Sequence, residues 1–286
     1  MFVVSTVVIV AVGVLILIAI RPRLRARTEH PSPRWANGMM VVGGVVFPVV
    51  VLSVLWVLTL RDMSALSAPG RPAAFTVDVI GHQWWWEVRY PAQGIVTAND
   101  IHVPAGRPVR VRLTTRDVNH SFWVPQLTGK TDLIAGRTTS MWIQADHPGV
   151  YRGQCAEYCG VQHANMIFYV VADPPGRFTA WVARERQIAA TPTDPTLISG
   201  RDTFLRSACV ACHTIRGTPA QGRVGPDLTH IGSRISIGAG AVPNTAGNLT
   251  GWINDSQSIK PGNIMPPIQL EPTDLQDLVA YLESLQ

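Results

Sequence analysis

Lysine is almost missing from this sequence: its 286 residues contain two, Lys130 and Lys260. The formal net charge of +5 is carried by arginine instead. Five arginines (Arg21, Arg23, Arg25, Arg27 and Arg34) fall in one short segment beside a single acid, Glu29. Taking away that segment's five positive charges and one negative charge leaves +1. The basic character is a local cluster and gives no ground for a nucleic-acid partner. Cysteine is scarce too. The four present form two close pairs, Cys155/Cys159 and Cys209/Cys212, each with a histidine on its C-terminal side, His163 and His213. That spacing argues for metal or haem before disulfides.

Charge is absent altogether from two stretches. Phe2 to Ile20 is uncharged and largely β-branched. At 1.5 Å per residue it spans roughly 30 Å, the thickness of the bilayer hydrocarbon. A second uncharged stretch runs between Arg34 and Arg61, with its core at Met39–Leu60 and Pro48 inside it. A membrane helix tolerates such a proline as a kink. The first run is not ordered like a secretory signal, since its arginines follow the apolar residues instead of preceding them. The expectation is a membrane helix over 1–20, a cytoplasmic arginine-rich loop over 21–38 and a second helix over 39–60. An arginine at mid-bilayer costs about 2.5–3.5 kcal/mol. The loop therefore stays inside, and both the N-terminus and everything after Arg61 lie on the outer face.

Beyond a loop rich in Ser, Ala, Pro and Gly (64–74), the pattern changes to short strands. Segments 75–80, 84–90, 100–103, 109–114, 141–144 and 166–171 read as strands separated by Gly, Pro and Asn turns. Seven to nine such strands predict a small β-sandwich or barrel over residues 75–172. Near its end, Cys155, Cys159, His163 and Met166 fall within twelve residues, and His120 lies upstream in Asp117-Val118-Asn119-His120-Ser121-Phe122. Soft sulfur with imidazole is the donor set that copper prefers. A mononuclear blue-copper site uses one cysteine, so the second has a role if two coppers share both thiolates. Each copper then takes one imidazole, with Met166 and a backbone carbonyl in the axial positions. A disulfide between Cys155 and Cys159 is the plainer alternative on an oxidising face. Zinc held by two cysteines and two histidines is the nearest metal competitor and leaves Met166 without a role.

These residues resemble cytochrome c oxidase subunit II, whose dinuclear copper centre CuA carries the pattern C-x-E-x-C-x-x-x-H-x-x-M. Gly81-His82-Gln83-Trp84-Trp85-Trp86 resembles the family's aromatic box, and His120-Ser121-Phe122-Trp123-Val124-Pro125 resembles the strand bearing its first histidine. The resemblance covers roughly residues 1–172, helices included, and implies a cupredoxin fold. It implies His120, Cys155, Cys159, His163 and Met166 as side-chain ligands of CuA, with Glu157 ligating through its carbonyl. It also implies a magnesium ion shared with oxidase subunit I through the Glu157 carboxylate, and Trp84 as the residue where electrons arrive. The stretch Arg34-Trp35-Ala36-Asn37-Gly38 departs from the family, many of whose members carry a carboxylate just before the second helix.

Residues 173–195 read as a linker, with a short amphipathic helix over 178–188 before Thr191-Pro192-Thr193-Asp194-Pro195. Cys209-Val210-Ala211-Cys212-His213 is then the C-x-x-C-H signature of covalent haem attachment. A thioredoxin-type reading of that pair wants a βαβ setting, which the pattern lacks. Met265, in Asn263-Ile264-Met265-Pro266-Pro267, is the candidate sixth ligand of the iron. Leu275, Leu278, Val279 and Leu282 follow helical spacing on a final helix. Gly225-Pro226-Asp227-Leu228 resembles the loop that lies against the haem in class I cytochromes c. Residues 196–286 are thus expected to be an all-α class I cytochrome c domain.

The whole chain resembles subunit II of a caa-type cytochrome c oxidase. That resemblance implies a bacterial plasma-membrane protein with both termini outside. Electrons come from cytochrome c or a quinol–cytochrome c reductase, enter through haem c, pass to CuA and leave for haem a of subunit I. Oxygen reduction and most proton pumping belong to that partner, and this chain is expected to carry no oxygen-reducing site. A copper and haem subunit of another reductase, such as nitric oxide reductase, and a copper-delivery protein are the other readings.

Overall fold

The computed structural model describes residues 2–24, 33–67 and 72–286. It divides into two compact units, Met1–Leu66 and Ser67–Gln286.

The first unit is helical. Helix α1 spans Phe2–Leu24, and α2 (Pro33–Val41) runs through a π turn (Val42–Val46) into α3 (Phe47–Ser67). The wide turn sits immediately ahead of Pro48. Proline has no N–H to donate and crowds the carbonyl four residues back, and the helix accommodates both by a local change of pitch. Phe47 N accordingly donates to Val42 O, five residues earlier. Among the described residues one continuous helical run, Arg34–Met63, is long and apolar enough to cross a membrane. In α1 the stretch that meets the same apolar test, Ser5–Ile18, is shorter. Leu52 and Trp56 are 64% and 65% exposed. The expectation of a second crossing in 1–20 is thus matched by a helix but not by a described apolar stretch of full length.

The second unit begins with a sandwich of ten strands. β1 (Thr76–His82), β2 (Trp85–Tyr90), β3 (Ile95–Ala98), β5 (Val109–Thr115) and β8 (Thr139–Ile143) form one sheet in the order β3-β2-β1-β5-β8. β4 (Asp100–Pro104), β6 (His120–Trp123), β7 (Thr131–Leu133), β9 (Gly149–Cys155) and β10 (Ile167–Asp173) form the other in the order β4-β10-β9-β6-β7. The β1–β5 and β4–β10 pairs are parallel and the rest antiparallel. Alternation along β5 buries Val109, Val111 and Leu113 and turns Arg110 and Arg112 outward, the pattern of a half-buried strand. Trp86, Phe122 and Phe168 pack together between the sheets, with ring centroids 4.4 to 6.1 Å apart. Gly153 leaves room for the Phe168 ring, which a Cβ there would enter. β3, β7 and β9 were not among the strands expected from the sequence. Trp84, expected inside a strand, lies instead in the tight turn between β1 and β2.

Helix α4 (Pro175–Glu185) packs back on the sandwich: Trp181 stacks on His102 at 4.3 Å and Phe178 on Phe75 at 5.3 Å. Asp194 then caps α5 (Pro195–Arg206), its carboxylate accepting from Thr196 N and Leu197 N, with Pro195 in the first turn. The single turn α6 (Cys209–Cys212), a ribbon of β11 (Ser236–Ile237) and β12 (Val242–Pro243), and helices α7 (Ala246–Asn254), α8 (Ser256–Ile259) and α9 (Pro272–Ser284) complete the chain. Phe204, Leu249, Leu278, Tyr281 and Leu282 form their core.

Candidate copper and haem sites

The sandwich brings the sulfur and imidazole donors together at one end. β6 supplies His120, the end of β9 supplies Cys155, and the loop between β9 and β10 supplies the remainder. The ligand atoms of His120, Cys155 and Cys159 all lie within 4.8 Å of one another. Cys159 Sγ is 3.7 Å from Cys155 Sγ, 3.6 Å from His163 Nδ1 and 3.8 Å from Met166 Sδ. Cys155 Sγ is 3.9 Å from His120 Nδ1 and 3.2 Å from the Glu157 carbonyl. A disulfide holds its sulfurs about 2.05 Å apart, so the two cysteines are free thiols here. All six expected donors therefore meet, Glu157 through its carbonyl. Its carboxylate points outward and is 4.0 Å from Lys130 Nζ.

Three details fit this set to a metal. His120 is fully buried, and its Nε2–H donates to Asp117 Oδ1 at 2.8 Å, which turns Nδ1 toward the sulfurs. Burial works against charge on Asp117, but hydrogen bonds from His120, Gln83 N and Val118 N outweigh it and hold the carboxyl below its usual range. The two sulfurs lie within reach of one hydrogen bond. That bond holds Cys155 far below the usual thiol range, and the same bond together with burial pushes Cys159 up. Two adjacent thiolates need cations between them, so metal binding at this pair releases protons.

In the helical part, α6 sets Cys209 and Cys212 one turn apart with His213 at its end. They line a largely apolar cavity of about 330 Å³ that Met265 also faces. Since a carbonyl only accepts, His213 Nδ1 carries the hydrogen in its 2.8 Å bond to Pro226 O, leaving Nε2 as a ligand atom. Burial lowers the His213 pKa, which favours the neutral, ligating form. Gly225 lies flat against the ring, where a Cβ would come within 2.6 Å of His213 Cε1. Met265 is fixed through its backbone: its carbonyl accepts from Ser256 Oγ at 2.7 Å and Gln257 Nε2 at 2.9 Å, and its N–H donates to Asn263 Oδ1 at 2.8 Å. In the cavity wall Arg234 is buried, with one bond to Asp227 O and no partner for its Nε. A buried guanidinium with a free Nε suits a group bearing carboxylates, as haem does. Sequence reasoning missed Arg234 and Asp117, whose partners are set by the fold.

The cavity and the sulfur cluster share a wall. Gln83 and Trp84 line the cavity, and both donate to the Cys159 carbonyl, from Gln83 Nε2 at 2.8 Å and Trp84 Nε1 at 2.9 Å.

A β-sandwich with a thiolate–imidazole cluster, joined to a helical domain with a C-x-x-C-H turn, defines a two-domain protein of the copper and cytochrome c class. Residues 92–172 match the family described as "Cytochrome C oxidase subunit II, periplasmic domain", and residues 198–286 match "Cytochrome c". The chain is 37% identical over 264 residues to "Cytochrome c oxidase subunit 2" of Alkalihalophilus pseudofirmus (strain OF4), covering 90% of this chain and 76% of that one. It is 35% identical to the protein so named in Bacillus sp. (strain PS3), covering 92% and 80%. With that of Bacillus subtilis (strain 168) the identity is 29%, covering 90% and 78%. The chain belongs to the cytochrome c oxidase subunit 2 family, with a cytochrome c domain fused behind the copper domain. The two domains imply copper and haem as cofactors.

Proposed function

We propose that this chain receives electrons for an oxidase complex at a haem held by Cys209, Cys212, His213 and Met265, and passes them to a copper pair held by His120, Cys155, Glu157 O, Cys159, His163 and Met166. The observation that carries this reading is Trp84, which lines the haem cavity and donates a hydrogen bond to the carbonyl of Cys159, one of the sulfur donors. Bound copper and haem supply the one-electron chemistry. The chain's residues do the rest: the buried sandwich holds the donors rigid, Asp117 orients His120, and Pro226 orients His213. The electron leaves for haem a of subunit I, where oxygen reduction and proton pumping take place. The Glu157 carboxylate, exposed beside the cluster, is free to reach a magnesium ion shared with that subunit. In this reading α1 and the α2–α3 run are two anchors in a bacterial plasma membrane, with the arginine-rich loop inside and both termini outside. The donor is cytochrome c or a quinol–cytochrome c reductase.

Replacing Cys155 or Cys159 with serine tests the assignment. The paramagnetic signal of a copper pair is expected to vanish from the purified protein while the optical spectrum of the haem stays unchanged. A copper-pair signal that survives either change refutes the ligand set.

A further inference from the structure

One of the two lysines sits where an ammonium is hardest to keep. Lys260 is 2% exposed. Its Nζ donates to three backbone carbonyls, Trp84 O at 2.8 Å, Asn165 O at 2.6 Å and Gly238 O at 2.6 Å. Trp84 and Asn165 belong to the sandwich, while Gly238 and Lys260 belong to the cytochrome domain. Three donors meet three acceptors, so the group is fully hydrogen-bonded, but burial without a carboxylate partner depresses its pKa to about 7. An uncompensated charge buried between two domains costs stability, and its position indicates what it achieves. It grips the backbone of the same Trp84 whose indole donates to Cys159 O, and it too lines the haem cavity.

We propose that Lys260 is a positioning residue for electron transfer: an interdomain latch that fixes the docked geometry in which Trp84 stands between the haem cavity and the thiolate loop. The inference rests on the electron route proposed above. Neighbouring bonds support the same docking. Gln162 Nε2 donates to Pro261 O at 2.8 Å, Ile167 N to Ala239 O at 2.9 Å, and Ile235 N to Asp100 Oδ2 at 2.9 Å. Of these contacts the Lys260 ammonium alone joins the Trp84 turn, the loop beside Met166 and the cytochrome ribbon at one point. With the latch closed, the electron crosses a fixed contact. With it open, the bonds of Gln162, Ile167 and Ile235 still join the domains, but the Trp84 turn must return to its place against the cavity before each transfer.

The test uses Lys260→Met in the full chain, with haem reduced by a light flash and copper reduction followed optically. The haem spectrum and the copper paramagnetic signal are expected to stay unchanged. The haem-to-copper rate is expected to fall about tenfold or more, since a group displaced by about 1 Å from its working position loses about a hundredfold in rate. It is also expected to become inversely dependent on solvent viscosity, which a merely stabilising lysine would not cause. A rate equal to the unsubstituted chain's and indifferent to viscosity overturns the latch. If Lys260→Met loses either spectrum, Lys260→Gln decides by the same two readouts. Should the unsubstituted chain itself pass no electron from haem to copper, the underlying route is wrong and the latch falls with it.

Discussion

Gly81 shows how tightly single residues constrain the copper end of the sandwich. It lies on β1 opposite His120, and a Cβ added there would come within 2.7 Å of His120 Cδ2, 3.0 Å of Cγ and 3.2 Å of Leu133 Cδ2. The imidazole is already held at Nε2 by Asp117, so it cannot turn aside without breaking that bond or moving Nδ1 away from Cys155. Overpacking of this kind costs about 1–3 kcal/mol, and disturbing the shell behind a metal ligand costs about ten- to a hundredfold in metal affinity. Gly81→Ala is therefore expected to retain copper about tenfold more weakly in competition with a chelator, with the haem absorbance unaltered. Copper retention equal to that of the unsubstituted chain would mean that the ring moves freely and that Asp117 does not hold it.

Among the elements, the α5–α9 pair plays the corresponding part for the haem. Gly200 on α5 lets the helices touch: a Cβ there would run into the Asp277 carbonyl and come within 2.8 Å of Tyr281 Cβ. Phe204, one turn further along α5, and Leu278 and Leu282 on α9 line the haem cavity. Separating the helices therefore opens the cavity as well as the core. Gly200→Ala is expected to destabilise the cytochrome domain by about 1–3 kcal/mol, lowering its thermal midpoint while the copper signal persists to the temperature seen without the change. Loss of both signals together would show that the two domains melt as one.

The same contrast explains what could be read from the sequence. The C-x-x-C-H turn and the string from Cys155 to Met166 are local, so spacing alone displays them. Helix α9 was visible because Leu275, Leu278, Val279 and Leu282 repeat at helical intervals. Strand β7 is three residues long, too short for a period to register. Trp84, Trp85 and Trp86 are chemically alike, and nothing local says which of them occupies the turn. Lys260 and Trp84 are 176 positions apart and meet through a carbonyl, a group every residue carries. Pairing of that kind leaves no mark on side-chain pattern. The rarity of lysine was the one available signal.

For the whole molecule, the nature of the interdomain contact makes a statement about salt. The bonds described between sandwich and cytochrome domain run from Lys260, Gln162, Ile235 and Ile167 to carbonyls or to the buried Asp100 carboxylate. The two charged groups among them are 2% and 5% exposed, and no ion pair among the described residues crosses the contact. Mobile ions screen exposed charges over about 8 Å at physiological ionic strength and affect buried ones far less. The haem-to-copper rate is thus expected to be first order, independent of protein concentration, and constant within about a factor of two between about 20 and about 500 mM salt. Reduction of the haem by a charged external donor is a diffusional encounter and is expected to vary with salt over the same range. Flash-photolysis traces recorded across both series separate the steps. An internal rate that falls steeply with salt, or rises with protein concentration, would mean that the domains meet through exposed charge, or that haem of one molecule serves copper of another.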